Sequence, residues 1–148
     1  MEISSMRPED YDEVFALWRA TPGMGLNNID DTREGIGRYL RRNPATCFVA
    51  REGAALVGVI LCGHDGRRGF IHHTAVRTEF RNRGIGKSLV DRALDALRAE
   101  GIAKVALVVF AGNELGNGFW ERIGFAERTD IIYRNKVIAE GGMVKFGT

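Results

Sequence analysis

Cysteine is scarce in this sequence, long apolar runs are missing, and charge of neither sign dominates. The 148 residues hold two cysteines, Cys47 and Cys62, each inside an apolar strand-like run. They show no C-x-x-C spacing and no histidine ligand pattern, so they read as buried free thiols in a reducing compartment. No metal site is expected, and the cytoplasm is the expected location. No stretch is apolar enough to span a bilayer, and the acidic, proline-containing start from Met1 to Asp12 is not a signal peptide. Twenty-one basic against 19 acidic residues leave a formal charge of +2, too small to argue for nucleic acid or an acidic membrane. Repeats, low-complexity tracts and linkers are also missing, so one domain over 1–148 is expected.

What is present is an ordinary globular composition, 45% hydrophobic and 27% charged. Basic residues gather at Arg38, Arg41, Arg42, at Arg67, Arg68, and at Arg77, Arg81, Arg83, Lys87. The first two groups read as solvated faces. The third lies in "RNRGIGKSLV", Arg81 to Val90, which resembles two nucleotide loops and matches neither. A triphosphate loop needs glycine at position 81, which is Arg81, and a dinucleotide loop needs it at position 89, which is Leu89. What remains is a basic, glycine-punctuated turn running into the helical pattern Leu89, Val90, Ala93, Leu94, Leu97. Glycines permit close backbone approach, and free amides at a helix start attract an anion. The expected ligand group is therefore a phosphate or pyrophosphate.

Periodicity and turn signals give the rest of the order. Ile3 to Met6 is a short edge strand, and Tyr11, Val14, Phe15 and Trp18 recur at helical spacing. "TPGMGLNNIDD", Thr21 to Asp31, is a loop ending in an acidic cap, before a second helix marked by Ile36, Tyr39 and Leu40. Thr46 to Arg51, Ala55 to Gly63 and Gly69 to Val76 read as three strands. A helix then runs to Glu100 with Gly101 as its stop. Lys104 to Phe110 is a strand, Asn113 to Ile123 a helix, and Asp130 to Tyr133 and Met143 to Phe146 are strand candidates. The expected fold is mixed α/β: a central, mostly antiparallel sheet flanked by about four helices.

Two motifs in this order carry a resemblance. Arg81-x-x-Gly84-x-Gly86, between the strand ending at Val76 and a long helix, resembles the acyl-CoA motif of the GNAT superfamily of N-acetyltransferases. "NELGNGFWERIGF", Asn113 to Phe125, is similar to that family's later asparagine–helix–Gly-Phe motif. The resemblance implies acetyl-CoA as donor and a small-molecule amine or protein amino group as acceptor. It implies that the turn of Arg81, Asn82, Arg83, Gly84, Ile85, Gly86, Lys87 and Ser88 holds the CoA pyrophosphate. The backbone of Ala75 and Val76 would pair with the pantetheine arm, and an amide there would polarise the thioester carbonyl. Asn113, Asn117 and Trp120 would line the rest of the cofactor.

Catalysis is where the sequence departs from that family's common pattern. Trp120 occupies the helix position where many relatives carry a tyrosine acid, and indole has no proton to offer. Val108 stands where some relatives place a glutamate. Tyr133 is the candidate replacement acid. His72 and His73 are expected on opposite faces of the strand leading into the site, with His72 the candidate base. Asp30 and Asp31 suit a cationic amine but read as helix-cap residues. A CoA-binding module without activity is the alternative reading, a nucleotide-binding protein is a third, and a homodimer is the expected assembly if one forms.

Overall fold

Ala55 to His64 is almost wholly apolar and so has no face to offer water. A strand of that kind is stable only in the middle of a covered sheet. In the computed structural model, which describes residues 1–146, this segment is β3 (Ala55–His64), the third of five strands in the order β1-β2-β3-β4-β5. The others are β1 (Glu2–Ser5), β2 (Phe48–Glu52), β4 (Gly69–Val76) and β5 (Val105–Ala106). Every neighbouring pair is antiparallel except β4 and β5, which run parallel. Helices α1 (Tyr11–Arg19), α2 (Arg33–Arg42), α3 (Ile85–Ala99) and α4 (Glu114–Arg122) flank the sheet, with single 3-10 turns at Pro8–Asp10 and Thr78–Phe80.

Two apolar layers sandwich β3. Val59, Leu61 and Ala75 face Val14, Leu17 and Trp18 of α1 and Ile36 and Leu40 of α2. Val57, Ile60, Cys62 and Ile71 face Ile85, Leu89, Val90, Ala93 and Leu97 of α3. Gly58 sets the distance of α3 from the sheet, because a Cβ there would stand 3.0 Å from Leu89 Cδ1 and 3.3 Å from Ile85 Cγ2. Cys47 and Cys62 are buried free thiols. Burial pushes both up to about 12, so neither is a reactive thiolate at neutral pH.

Helix ends follow local rules. Gly101 is left-handed at φ 80°, its amide bonds the Arg98 carbonyl, and the Ile102 amide reaches Leu97. The same two-bond motif closes α4: Gly124 donates to Glu121, Phe125 to Trp120. The Trp120 and Phe125 rings, 5.1 Å apart, supply the apolar contact that accompanies it.

The second half departs from expectation at the strands. Lys104 to Phe110 forms a strand only at Val105–Ala106, where Gly69 pairs with Val105 and Phe70 with Ala106. Beyond that the chain diverges from β4, and Val108 and Phe110 are exposed. Asp130 to Tyr133 forms no strand: Ile131 and Ile132 are 61% and 78% exposed, and no ladder reaches this segment among the described residues. Met143 to Phe146 contributes a single bridge, Lys145 with Asn27, flanked by Asn28 N to Val144 O and Phe146 N to Leu26 O at 2.9 Å. β propensity without a partner strand does not make a strand.

Candidate functional site

The glycine-basic turn opens α3 as an anion site would. Asn82 and Gly84 are both left-handed, at φ 63° and 78°. Asparagine and glycine are the residues that tolerate that region. Gly84 is the N-cap with no side-chain cap bond, and the first turn of α3 carries no acidic residue. The first helical bond is Ser88 N to Gly84 O, so the amides of Ile85, Gly86 and Lys87 precede it and have no backbone acceptor among the described residues. The Ser88 amide, by contrast, is used by the helix. A Cβ on Gly84 would meet nothing within 4 Å, whereas one on Gly86 would sit 3.2 and 3.3 Å from the Phe119 ring. Gly84 thus supplies the turn, and Gly86 lets α3 close on α4.

The basic side chains are already engaged. Arg81 Nε donates to the Val76 carbonyl at 3.2 Å. Arg83 stacks over Phe80 at 4.9 Å, and Lys87 pairs with Asp91 at 2.8 Å on the exposed helix surface. Such exposed pairs exchange easily with other anions.

β4 leads directly into this turn. Because β5 leaves it after Phe70, the edge of β4 through Ala75 and Val76 has no neighbouring strand on that side among the described residues. Its other edge is paired, Val59 with Ala75 and Gly58 with Val76. Across the opening, Asn113 caps α4, its Oδ1 accepting from the Gly116 amide at 2.9 Å. Asn117 Nδ2 donates to the carbonyls of Phe110 and Asn113. Both asparagines thus fasten the β5–α4 connection. An open cavity of about 470 Å³ lies there, between Pro22 and Gly23 of the α1–α2 loop and Phe110, Asn113, Glu114 and Leu115. Trp120 is half-buried, with Phe119 at 5.0 Å and Phe125 beyond.

The histidines overturn the face assignment. β3 and β4 pair Ile60 with Thr74 and Cys62 with Ile71, so His72 and His73 together oppose Leu61. This bulge breaks the period-2 alternation. Ile71 points to the α3 layer, Ala75 to the α1 and α2 layer, and both histidines turn to the α1 and α2 side. His72 lies against Tyr39 at 5.5 Å and Phe70 at 4.7 Å, and His73 against Trp18 at 5.0 Å. The two imidazoles are 6.4 Å apart. His72 keeps an exposed edge, but crowding by its aromatic neighbours removes enough water to hold its pKa below the usual imidazole value. A charge on His73 lowers it further, and Asp31 and Asp30 oppose the shift.

Asp31 is not the helix cap. Thr32 caps α2, its hydroxyl accepting from the Gly35 amide at 3.0 Å. The Asp31 side chain instead turns inward, and the residue as a whole is 2% exposed. Its Oδ1 meets His73 Nε2 at 2.8 Å and its Oδ2 accepts from the Asn27 amide at 2.8 Å. The Tyr11 hydroxyl donates to the Asp31 carbonyl. Trp18 Nε1, in the same cluster, is the one buried side-chain polar atom without a partner among the described residues. Nothing in sequence spacing announces this cluster, whose members come from three elements. Tyr133, by contrast, is 65% exposed on a segment without regular structure. Among the described residues it shares no ring contact with the histidines, whose ring neighbours are Trp18, Tyr39 and Phe70. No group of three or more His, Cys, Asp or Glu side chains suited to a metal ion occurs among the described residues.

Comparison with solved structures finds the same fold repeatedly. Ard1 from Thermoplasma volcanium is 24% identical with a TM-score of 0.75, covering 84% of this chain and 82% of that one. The ribosomal-protein-alanine N-acetyltransferase from Brucella melitensis biovar Abortus 2308 is 21% identical with a TM-score of 0.68, covering 93% and 100%. The PaiA N-acetyltransferase from Thermoplasma acidophilum, in complex with coenzyme A, is 20% identical with a TM-score of 0.72, covering 84% and 89%. The family model described as acetyltransferase (GNAT) matches residues 11–125, which take in α1, the β4 edge, the phosphate-type turn and the Gly-Phe end of α4. The chain belongs to the acetyltransferase (GNAT) family.

Proposed function

We propose that this chain, as one domain over 1–148, transfers an acetyl group from acetyl-CoA to a primary amine by direct attack on the thioester. The observation that carries the reading is the acid-free start of α3, whose unclaimed amides stand at the end of the open β4 edge. The pyrophosphate belongs at Ile85, Gly86 and Lys87, with Arg81, Asn82, Arg83, Gly84 and Ser88 framing it. The pantetheine arm adds as a strand along Ala75 and Val76, with Asn113, Asn117 and Trp120 flanking its far side. A backbone amide of β4 polarises the carbonyl.

The acceptor enters from the α1–α2 loop side, where His72 and His73 stand. The amine is a small molecule or a protein amino group, and its proton passes to this histidine pair directly or through water. Tyr133 is the protein group proposed to return a proton to the leaving thiolate. Tyr133→Phe with full activity would assign that step to solvent.

The test is calorimetric titration with acetyl-CoA beside ATP and NADH, after checking that no acetyl-CoA co-purifies. Micromolar binding of acetyl-CoA alone is expected, followed by thiol release with at least one amine of a diamine, aminoglycoside and alanine-started peptide panel. Binding without release from any amine supports the inactive CoA-binding module instead. A folded protein that ignores acetyl-CoA refutes both.

A further inference from the structure

We infer that Asp31 and His73 form the proton-accepting dyad of the proposed reaction, with His73 the catalytic imidazole and Asp31 its positioning residue. This rests on the transferase reading above. Strand alternation puts the His73 ring on the face that carries Ala75, two residues and about 7 Å further along the strand, and the bulge brings His72 round to the same side. On that face, His73 Nε2 meets Asp31 Oδ1 at 2.8 Å, and the His73 side chain is 15% exposed against 4% for Asp31. A carboxylate only accepts hydrogen bonds, so a neutral His73 must present Nε2–H to Asp31. Its Nδ1, which has no protein partner among the described residues, then carries the lone pair. The Asn27 amide on Oδ2 keeps the carboxylate from rotating away. Trp18 packs edge-on at 5.0 Å and fixes the ring plane.

Other ionisable groups surround the dyad: Asp30 beside it in the loop, Tyr11 on α1, Arg33 over the Tyr11 ring and Tyr39 on α2, with His72 on the same strand. Among the described residues, Asp31 alone hydrogen-bonds a His73 ring nitrogen. His72, 6.4 Å away and open to solvent at one edge, is placed to carry protons between His73 and bulk water.

The step balances as follows. The amine nitrogen forms a bond to the thioester carbonyl carbon, and the proton it sheds goes to His73 Nδ1. The C–S bond breaks with its electron pair on sulfur. The imidazolium, held by Asp31, then passes its proton through His72 to water, while the thiolate takes its proton from Tyr133 or solvent. The dyad also ties acceptor binding to catalysis, because Asp31 belongs to the loop beside which the amine enters.

Imidazole ¹⁵N spectra and steady-state kinetics on the full chain test this. Wild-type His73 is expected as the Nε2–H tautomer, and Asp31→Asn, whose amide can donate, should release it toward Nδ1–H. His73→Gln and Asp31→Asn should each lower turnover by about 10²- to 10⁴-fold with acetyl-CoA affinity unchanged. His72→Gln should cost about tenfold or less. A wild-type Nδ1–H tautomer overturns the dyad, as does turnover within threefold of wild type in both His73→Gln and Asp31→Asn. If Asp31→Asn fails to fold, His73→Gln, which leaves no unpaired cation, still decides. Acetyl-CoA binding with no amine turned over refutes the transferase reading and the dyad together, whereas active variants refute the dyad alone.

Discussion

Replacing Gly84 separates the electrostatics of the phosphate turn from its backbone geometry. Gly84 holds φ 78°, and a Cβ there meets no atom within 4 Å, so any substitution is strained by conformation and not by crowding. Gly84→Ala should therefore cost about 1–2 kcal/mol of stability from the left-handed region alone. If the turn keeps its shape, acetyl-CoA affinity should change by less than about threefold. Gly84→Glu carries the same strain and adds a carboxylate beside the amides of Ile85 and Gly86. A unit charge about 5 Å from a phosphate charge repels it by about 0.8 kcal/mol at water's dielectric and about 3.3 kcal/mol at an effective value of 20. That converts to an affinity loss between about 4-fold and about 300-fold. Calorimetry at low and high salt reads the difference, which should shrink as salt screens it. Equal affinities for the alanine and glutamate variants would show that no phosphate lies at this helix start. Gly86→Glu is the poorer probe, because its Cβ already presses on Phe119 and would disturb α4 as well.

Two further outcomes follow from the packing. The His72 pKa is depressed from its ordinary 6.5, so below that pH the unfolded chain binds more protons than the folded one. His72 therefore erodes stability as pH falls from about 6.5 through its folded value, and urea midpoints at pH 7 and pH 5 should converge in His72→Gln relative to wild type. Gly63→Ala places a Cβ 2.5 Å from Tyr39 Oη and Asn43 Cγ. It should destabilise by about 1–3 kcal/mol and displace the Tyr39 ring from His72, shifting the His72 titration seen by NMR.

Local order was legible because local chemistry dictates it. Gly101 and Gly124 stop α3 and α4 through bonds between residues three and five apart, and β4 occupies the expected residues Gly69–Val76. The glycine-basic turn is equally local: its left-handed residues, its lack of acid and the helix that follows are all in one stretch. Strand candidates failed where the deciding partner was remote. Val105 and Ala106 pair with β4, but Leu107 to Phe110 and Asp130 to Tyr133 have no strand beside them among the described residues.

The sequence by itself thus determined the mixed α/β order, the central apolar strand, the buried thiols and the anion-type turn. Each follows from composition, period or neighbours within about one helical turn. Tertiary structure alone decided which face His72 and His73 share, since a bulge is a property of the β3–β4 register and not of either strand. It also decided that Thr32 caps α2 while Asp31, 42 residues before His73, turns inward to meet its imidazole. A buried carboxylate must find a donor, and only the folded chain determines which donor is within reach.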